Sequence, residues 1–565
     1  MDELPDALEQ LAARVETLER RVKALEALER PFVEASAPAA QSPASAGIAE
    51  SAEEISLAHA GGLFSVLGNA MLGIAGAYVL RAVAESSSLP RFLIAAVAIV
   101  YALLWLVGAA RVPVGAGLSS AIYAGTSALI LAPMLWELTL SFKVMTAPVT
   151  AGVLCVFVMA GAALAWKRDL APVFWVVNFA AAGSAVALSI ATHELTPFIA
   201  ALLLMALLAE YAAGRNHQMS VRPLAAAAAD LAIWALIFIY SSPESTRTDY
   251  PAIGTMGLLL PGCLLFLIYG ASIGMRTTLL KQEITVFETG QAMIAFLLAA
   301  SSVLYFAPYP GAVVLGAACL VCSAACYAAA FLLFSKTAAR RNFHVYAAWA
   351  AGLLLAGSFL SMPPLWLTAF LGLAAIVATV SGDRLTLRFH GMVFLLAAAA
   401  TSGLLEYALY ALAGSQPASL APGVCIASAC ALVCYAAGKH RAQEGWPRQL
   451  LHLATAALAV CALAGLLVHG LSHLVALRIT PEAHHLAFIR TLILCAAALA
   501  LSFAGSRWRR LELTRISYAT LGLVAAKLLF EDLRLGHLEL IAASIFLFAI
   551  ALIAVPRLAH MEKKA

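Results

Sequence analysis

Apolar residues run along this chain in long blocks, not in the alternation of half-buried strands. Block follows block, and short clusters with arginine, lysine or proline part them. At 1.5 Å of rise per residue, about twenty apolar residues in a helix cross a hydrocarbon core about 30 Å thick. The pattern predicts about eighteen spans, at 62–82, 92–110, 115–136, 146–166, 171–191, 195–214, 222–241, 252–275, 284–307, 311–335, 343–361, 364–381, 387–413, 419–438, 449–470, 485–505, 512–531 and 536–556. Two of these depart from the norm. The block at 364–381 is short, and the region 449–475 has room to tilt or to run on along the interface. The expected fold class is all-α, a polytopic transmembrane helical bundle preceded by a short coiled coil.

Before residue 61 the period changes. Leu4, Leu8, Leu11, Val15, Leu18, Val22 and Leu25 alternate spacings of four and three, which is a heptad seam. Valine at the a positions with leucine at d favours a parallel pair, and Arg14 with Glu19 and Arg21 with Glu26 supply matching flank charges. A lone amphipathic helix on a protein or lipid surface is the competing reading. Pro31 ends the segment, and residues 31–60 read as an Ala/Ser/Pro-rich linker with a short interfacial helix at 51–57. The expected organisation is therefore 1–30 coiled coil, 31–60 linker, 61–557 transmembrane domain and 558–565 tail.

Composition makes the membrane reading firm. Hydrophobic residues are 63% of the 565, and charged residues 12%, against roughly 45–50% and 25% in soluble domains. A soluble enzyme and a disordered chain are both excluded. The net charge of +4 is no nucleic-acid signature, because the basic residues lie in short connections where they set topology. Arg340, Arg341, Arg441 and Arg510 fall on one predicted side and few fall on the other. A bias of about three to one puts both termini in the cytoplasm. All ten cysteines lie inside apolar blocks, so no disulfide framework is implied. The first apolar block is long and lacks a cleavage pattern, so an uncleaved anchor is expected.

A weak repeat appears in Tyr211-Ala-Ala-Gly-Arg215 and Tyr435-Ala-Ala-Gly-Lys439, and in Cys326-Tyr327 and Cys434-Tyr435. Its period suggests four-helix units. Chance similarity between alanine-rich helix ends is the alternative.

Ionisable residues inside predicted spans cost at least about 2.5–3.5 kcal/mol each on insertion scales, so they are paired or used. Lys527 and Glu531 are four apart and share a helical face. Asp532 turns away from Glu531 and is free to reach another helix, while Arg515 sits near the other end of that span. Glu406 and Arg490 fall at matching depth in two other spans and are expected to pair, with a substrate or proton site as the alternative. Asp230 has no evident cation nearby, which suggests a neutral carboxyl or a proton relay. Glu283, Glu288 and Gln291 read as an interfacial cap. His193, His469, His473, His484, His485 and His537 gather on the predicted outer side. Of these, His469 and His473 have a spacing that suits a metal, with Glu482 nearby, although interfacial packing is the commoner use. No metal or other cofactor is predicted.

The chain closes on Arg515-Ile-Ser-Tyr-Ala-Thr-Leu-Gly-Leu-Val-Ala-Ala-Lys527-Leu-Leu-Phe-Glu-Asp532-Leu533 and one last apolar block. A heptad segment, a linker and a first block studded with Gly68, Gly73 and Gly76 open it. This layout resembles the bacterial predicted-membrane-protein family called domain-of-unknown-function family 2339. The resemblance implies a bacterial inner-membrane location and no assigned reaction.

No phosphate-binding loop, nucleophile elbow or soluble catalytic domain is present in the sequence. Three functions remain open. One is a transporter-like carrier for a small or amphiphilic solute. The second is a non-enzymatic scaffold that forms homo-oligomers through residues 4–28. The third is an intramembrane enzyme on a lipid-linked substrate. The enzyme question leans to no, and the expected partners are the bilayer and further copies of the chain, not nucleic acid.

Overall fold

The structure is a computed structural model, and it describes residues 66–79, 81–82, 90–112, 117–215, 219–335, 340–381, 385–413, 419–438, 446–476, 482–535 and 537–560. The heptad seam and the linker lie outside the described residues. Among the described residues there is no strand. In chain order the helices are α1 (Val66–Val79), α2 (Arg91–Arg111), α3 (Gly117–Trp136), α4 (Ala147–Arg168), α5 (Ala171–Thr192), α6 (Leu195–Gly214) and α7 (Arg222–Ser241). There follow α8 (Thr255–Thr278), α9 (Val286–Phe306), α10 (Pro308–Ala328), α11 (Arg340–Ser361), α12 (Pro364–Val380), α13 (Leu385–Thr401) and α14 (Leu404–Ala413). The last are α15 (Pro422–Ala437), α16 (Trp446–Ala476), α17 (Ala483–Arg507), α18 (Leu511–Lys527) and α19 (Leu538–His560).

Among the described residues thirteen helices are long and apolar enough to cross a membrane, and one bent pair raises the count to 14. Local chemistry sets their limits. Proline stands in the first turn of α4, α5, α7, α12 and α15, where its missing N–H costs nothing. Asp169 ends α4 in the left-handed conformation and returns its N–H to Ala165, closing a carbonyl that would otherwise be orphaned.

Each predicted block coincides with helix, but three are not plain α-helices. The block at 387–413 is broken into α13 and α14, bent by 66°. Ser402 and Gly403 make the break, with Gly403 at φ +72, a conformation that glycine alone adopts cheaply. π-helical turns at Ala329–Phe334 and Leu528–Asp532 continue α10 and α18, and a third at Glu137–Ser141 continues α3. α16 runs to 31 residues, the longer of the two forms open to that region.

The core mixes many alanines with large apolar side chains. One cluster joins α2 to α9 through Ala102, Leu135, Phe157, Val177, Phe198 and Ile233. A second joins α11 to α16, and a third joins α17, α18 and α19. α10 and α11 cross at Gly316 and Gly357. A Cβ on Gly357 would meet the Gly316 carbonyl oxygen at 2.8 Å. Lipid tails are as apolar as leucine, so close backbone approach replaces the hydrophobic effect as the means of packing such helices. Large apolar side chains such as Leu72, Phe179, Trp366 and Phe546 face outward, as a lipid-facing surface requires.

Candidate functional site

Among the described residues two charged networks lie buried in the bundle, each with two cations and two carboxylates. The first is in the C-terminal part. Arg490 of α17 is 2% exposed, yet it carries a guanidinium. Its Nη1 donates to Glu531 Oε1 at 2.6 Å, and its Nε donates to the carbonyl of Ala411 at 2.7 Å. Ala411 lies in the last turn of α14, where carbonyls lack intrahelical partners and carry the negative end of the dipole. The break at Gly403 starts a short half-helix whose far end, at Ala411, meets the buried cation.

Lys527 completes the network. Its Nζ donates to Asp532 Oδ1, to the Ala487 carbonyl at 2.8 Å and to Thr491 Oγ1 at 3.0 Å. Glu531 lies 3.4 Å away. Thr491 donates in turn to Asp532 Oδ2 at 2.7 Å. In an α-helix a residue five positions on would point about 140° away. The π turn at Leu528–Asp532 inserts the extra residue that brings Asp532 back over Lys527.

The second network closes the α6–α7 and α8–α9 connections. Arg222 grips Glu210 in a two-point contact, Nε to Oε1 at 2.8 Å and Nη2 to Oε2 at 2.7 Å. Glu288 Oε1 accepts from Arg222 Nη2 at 3.0 Å and also from Arg276 Nη1. Ser272 donates to Glu210, and Gln282 accepts from Arg276 Nε at 2.9 Å. The Phe287 ring lies 5.1 Å from the Arg222 guanidinium carbon. Glu288 reaches this position because it is held in a capping box. Thr285 accepts from the Glu288 N–H at 3.3 Å, and the Glu288 carboxylate accepts from the Thr285 N–H at 2.8 Å.

Farther along α7, Asp230 is half-buried and accepts two bonds from Gln291 Nε2, at 2.8 and 2.9 Å. Tyr269 is buried within electrostatic reach of Asp230, Glu210 and Arg222. Asp230 therefore sits beside the second network with an amide as its hydrogen-bonding partner.

Several expectations need correction. Glu406 does not pair with Arg490: it is exposed on α14, and Arg490 turns to Glu531. The bend in the predicted span is the physical reason, since it takes α14 off the line used to match depths. Arg515 is exposed and stands apart from the network that shares its helix. Lys527, Glu531 and Asp532 do meet, although Asp532 makes the tighter contact with the lysine. The expected cap at Glu283, Glu288 and Gln291 divides three ways. Glu288 caps, Gln291 serves Asp230, and Glu283 is exposed. Arg222 and Arg276 flank predicted spans and Glu210 lies inside the one at 195–214; their joint burial depends on two hairpins meeting.

The two tyrosines of the weak repeat have different partners. Tyr211 lies under Arg215 of its own helix end, whereas Tyr435 lies under Arg510 from the α17–α18 connection. His469 and His473 sit one turn apart with ring centroids 6.4 Å from each other, and His469 faces Tyr407. The closer grouping is elsewhere: the ligand atoms of Glu482, His484 and His537 all lie within 4.8 Å of one another.

Together these features describe an all-helical bundle with the helix lengths and apolar exterior of a polytopic membrane protein. Comparison with protein-family profiles, characterised proteins and solved structures returns no match.

Proposed function

We propose that this chain is a non-enzymatic multi-pass membrane protein of scaffold type, with eighteen spans and both termini in the cytoplasm. The observation that carries the reading is the closure of both networks. Arg490, Lys527, Glu531 and Asp532 neutralise one another, as do Arg222, Arg276, Glu210 and Glu288. A carrier needs charges that a solute can reach. These are held by protein partners on several sides, and breaking a buried pair costs about 3–5 kcal/mol. Among the described residues, five of the cavities between the helices are lined mostly by alanine, leucine, valine and other apolar residues, the roomiest of these at about 690 Å³ between α16 and α17. Neither Lys527 nor Glu288 lines any of the five.

In this reading the heptad segment gathers copies of the chain, and the bundle fixes them in the bacterial inner membrane. The resemblance to domain-of-unknown-function family 2339 belongs to the same proposal. Light scattering of the detergent-solubilised chain tests it. Deleting residues 1–30 should lower the oligomer mass by more than the mass removed; an unchanged subunit count sinks the scaffold reading.

Asp230 favours a second reading. A half-buried carboxylate whose hydrogen-bonding partner is an amide suits a proton-coupled carrier for a small or amphiphilic solute. Liposomes loaded with a pH-sensitive dye distinguish the two readings. Proton flux in the wild type that disappears in Asp230→Asn establishes the carrier, and flux equal to empty liposomes removes it.

A further inference from the structure

α17 and α19 pack together, and His537, just before α19, lies against the first residues of α17. His484 is enclosed by two other imidazoles, with ring centroids 4.1 Å from His485 and 4.3 Å from His537. Glu482 Oε2 lies 3.4 Å from His484 Nδ1. Metal–ligand bonds of about 2.0–2.1 Å at tetrahedral angles place neighbouring donor atoms about 3.3–3.4 Å apart. The Glu482–His484 pair already has that edge length, and His537 must move by little to complete a face of the tetrahedron.

We propose that Glu482, His484 and His537 form a binding site for a divalent transition metal of the zinc type. Two imidazoles and a carboxylate suit zinc and its neighbours better than magnesium or calcium, which prefer all-oxygen sites. Three protein ligands leave a fourth position for water or for a group from outside. His485 is placed to support the site from behind, since its Nδ1 accepts from the Glu482 N–H at 3.3 Å. Glu482 and His484 stand at the start of α17 and His537 immediately precedes α19, so a bound ion ties the start of one helix to the start of the other. The site lies about six residues, or roughly 9 Å, along α17 from Arg490, and it holds whether the bundle carries a solute or not.

The test uses the full chain in detergent, without a polyhistidine tag. Equilibrium dialysis against Zn²⁺ should leave one tightly held ion per chain. His537→Ala and Glu482→Gln should each weaken binding at least about tenfold. His473→Ala should leave it unchanged. Zn²⁺ should also raise the unfolding temperature of the wild type but not that of His537→Ala. Both ligand residues chosen are exposed, and melting curves without metal check that each variant is folded. No ion bound at about 100 µM free Zn²⁺, a range where specific metal sites are well filled, overturns the proposal. So does undiminished binding in His537→Ala, or loss of binding in His473→Ala.

Discussion

The two charged networks have the same inventory and opposite construction. In one, Glu210, Arg222, Arg276 and Glu288 stand at the ends of helices, where backbone N–H groups and connections are at hand. In the other, Arg490 stands within α17, and Lys527, Glu531 and Asp532 stand at a π turn. The difference teaches what burying charge demands. Helix ends supply partners through ordinary capping, whereas the helix interior has to be reshaped to supply them. The C-terminal network uses an extra residue at Leu528–Asp532 and a helix bent at Gly403 for that purpose.

Replacing single members sets the two modes against each other. Arg490→Met should have the largest effect, about 3–5 kcal/mol of lost stability, read from unfolding in mixed micelles. It deprives Glu531 of its guanidinium partner and the α14 carbonyls of their donor. Arg276→Met should cost less, about 1.5–3 kcal/mol, because Glu288 keeps Arg222. Equal losses in the two variants would mean that construction does not matter.

Thr285→Ala removes the cap that aims Glu288 and should cost about 1 kcal/mol. A loss as large as that of Arg276→Met would make the cap, not the ion pair, the foundation of the network. The double replacement Lys527→Met with Asp532→Leu removes a cation and an anion together. It should stay within about 1 kcal/mol of the wild type, since a buried pair exchanged for apolar residues is often close to neutral. Finally, Glu406→Gln and Arg515→Gln should leave the unfolding midpoint where it is, because both side chains are exposed.

The helices were legible in the sequence because lipid imposes one strong rule, a block of apolar residues about as long as the hydrocarbon is thick. The meeting of Lys527, Glu531 and Asp532 was legible for a related reason: neighbours in one helix share a face by arithmetic. Partners across helices were not. Glu406 was matched to Arg490 by depth, and depth counted along a straight span fails where Ser402 and Gly403 turn the chain by 66°. Glu210 and Glu288 meet Arg222 only after two hairpins dock, so their joint burial has no local signature. The six histidines gathered by predicted side included all three of the cluster's imidazoles, yet helical spacing singled out His469 and His473. The closer set draws on residues more than fifty apart.

The sequence separation inside the C-terminal network has a consequence for biosynthesis. Glu531 follows Arg490 by 41 residues, while Ala411 precedes it by 79. When α17 leaves the translocon Glu531 has not yet been made, whereas the Ala411 carbonyl of an earlier half-helix is already there to receive the guanidinium. Partitioning that arginine into lipid alone costs about 2.5–3.5 kcal/mol on insertion scales. The last three helices are therefore expected to be released together, with α17 detained beside α14 until α18 brings its carboxylates. Truncating the nascent chain just after α17 should leave that helix poorly inserted, and extending it past Asp532 should restore insertion.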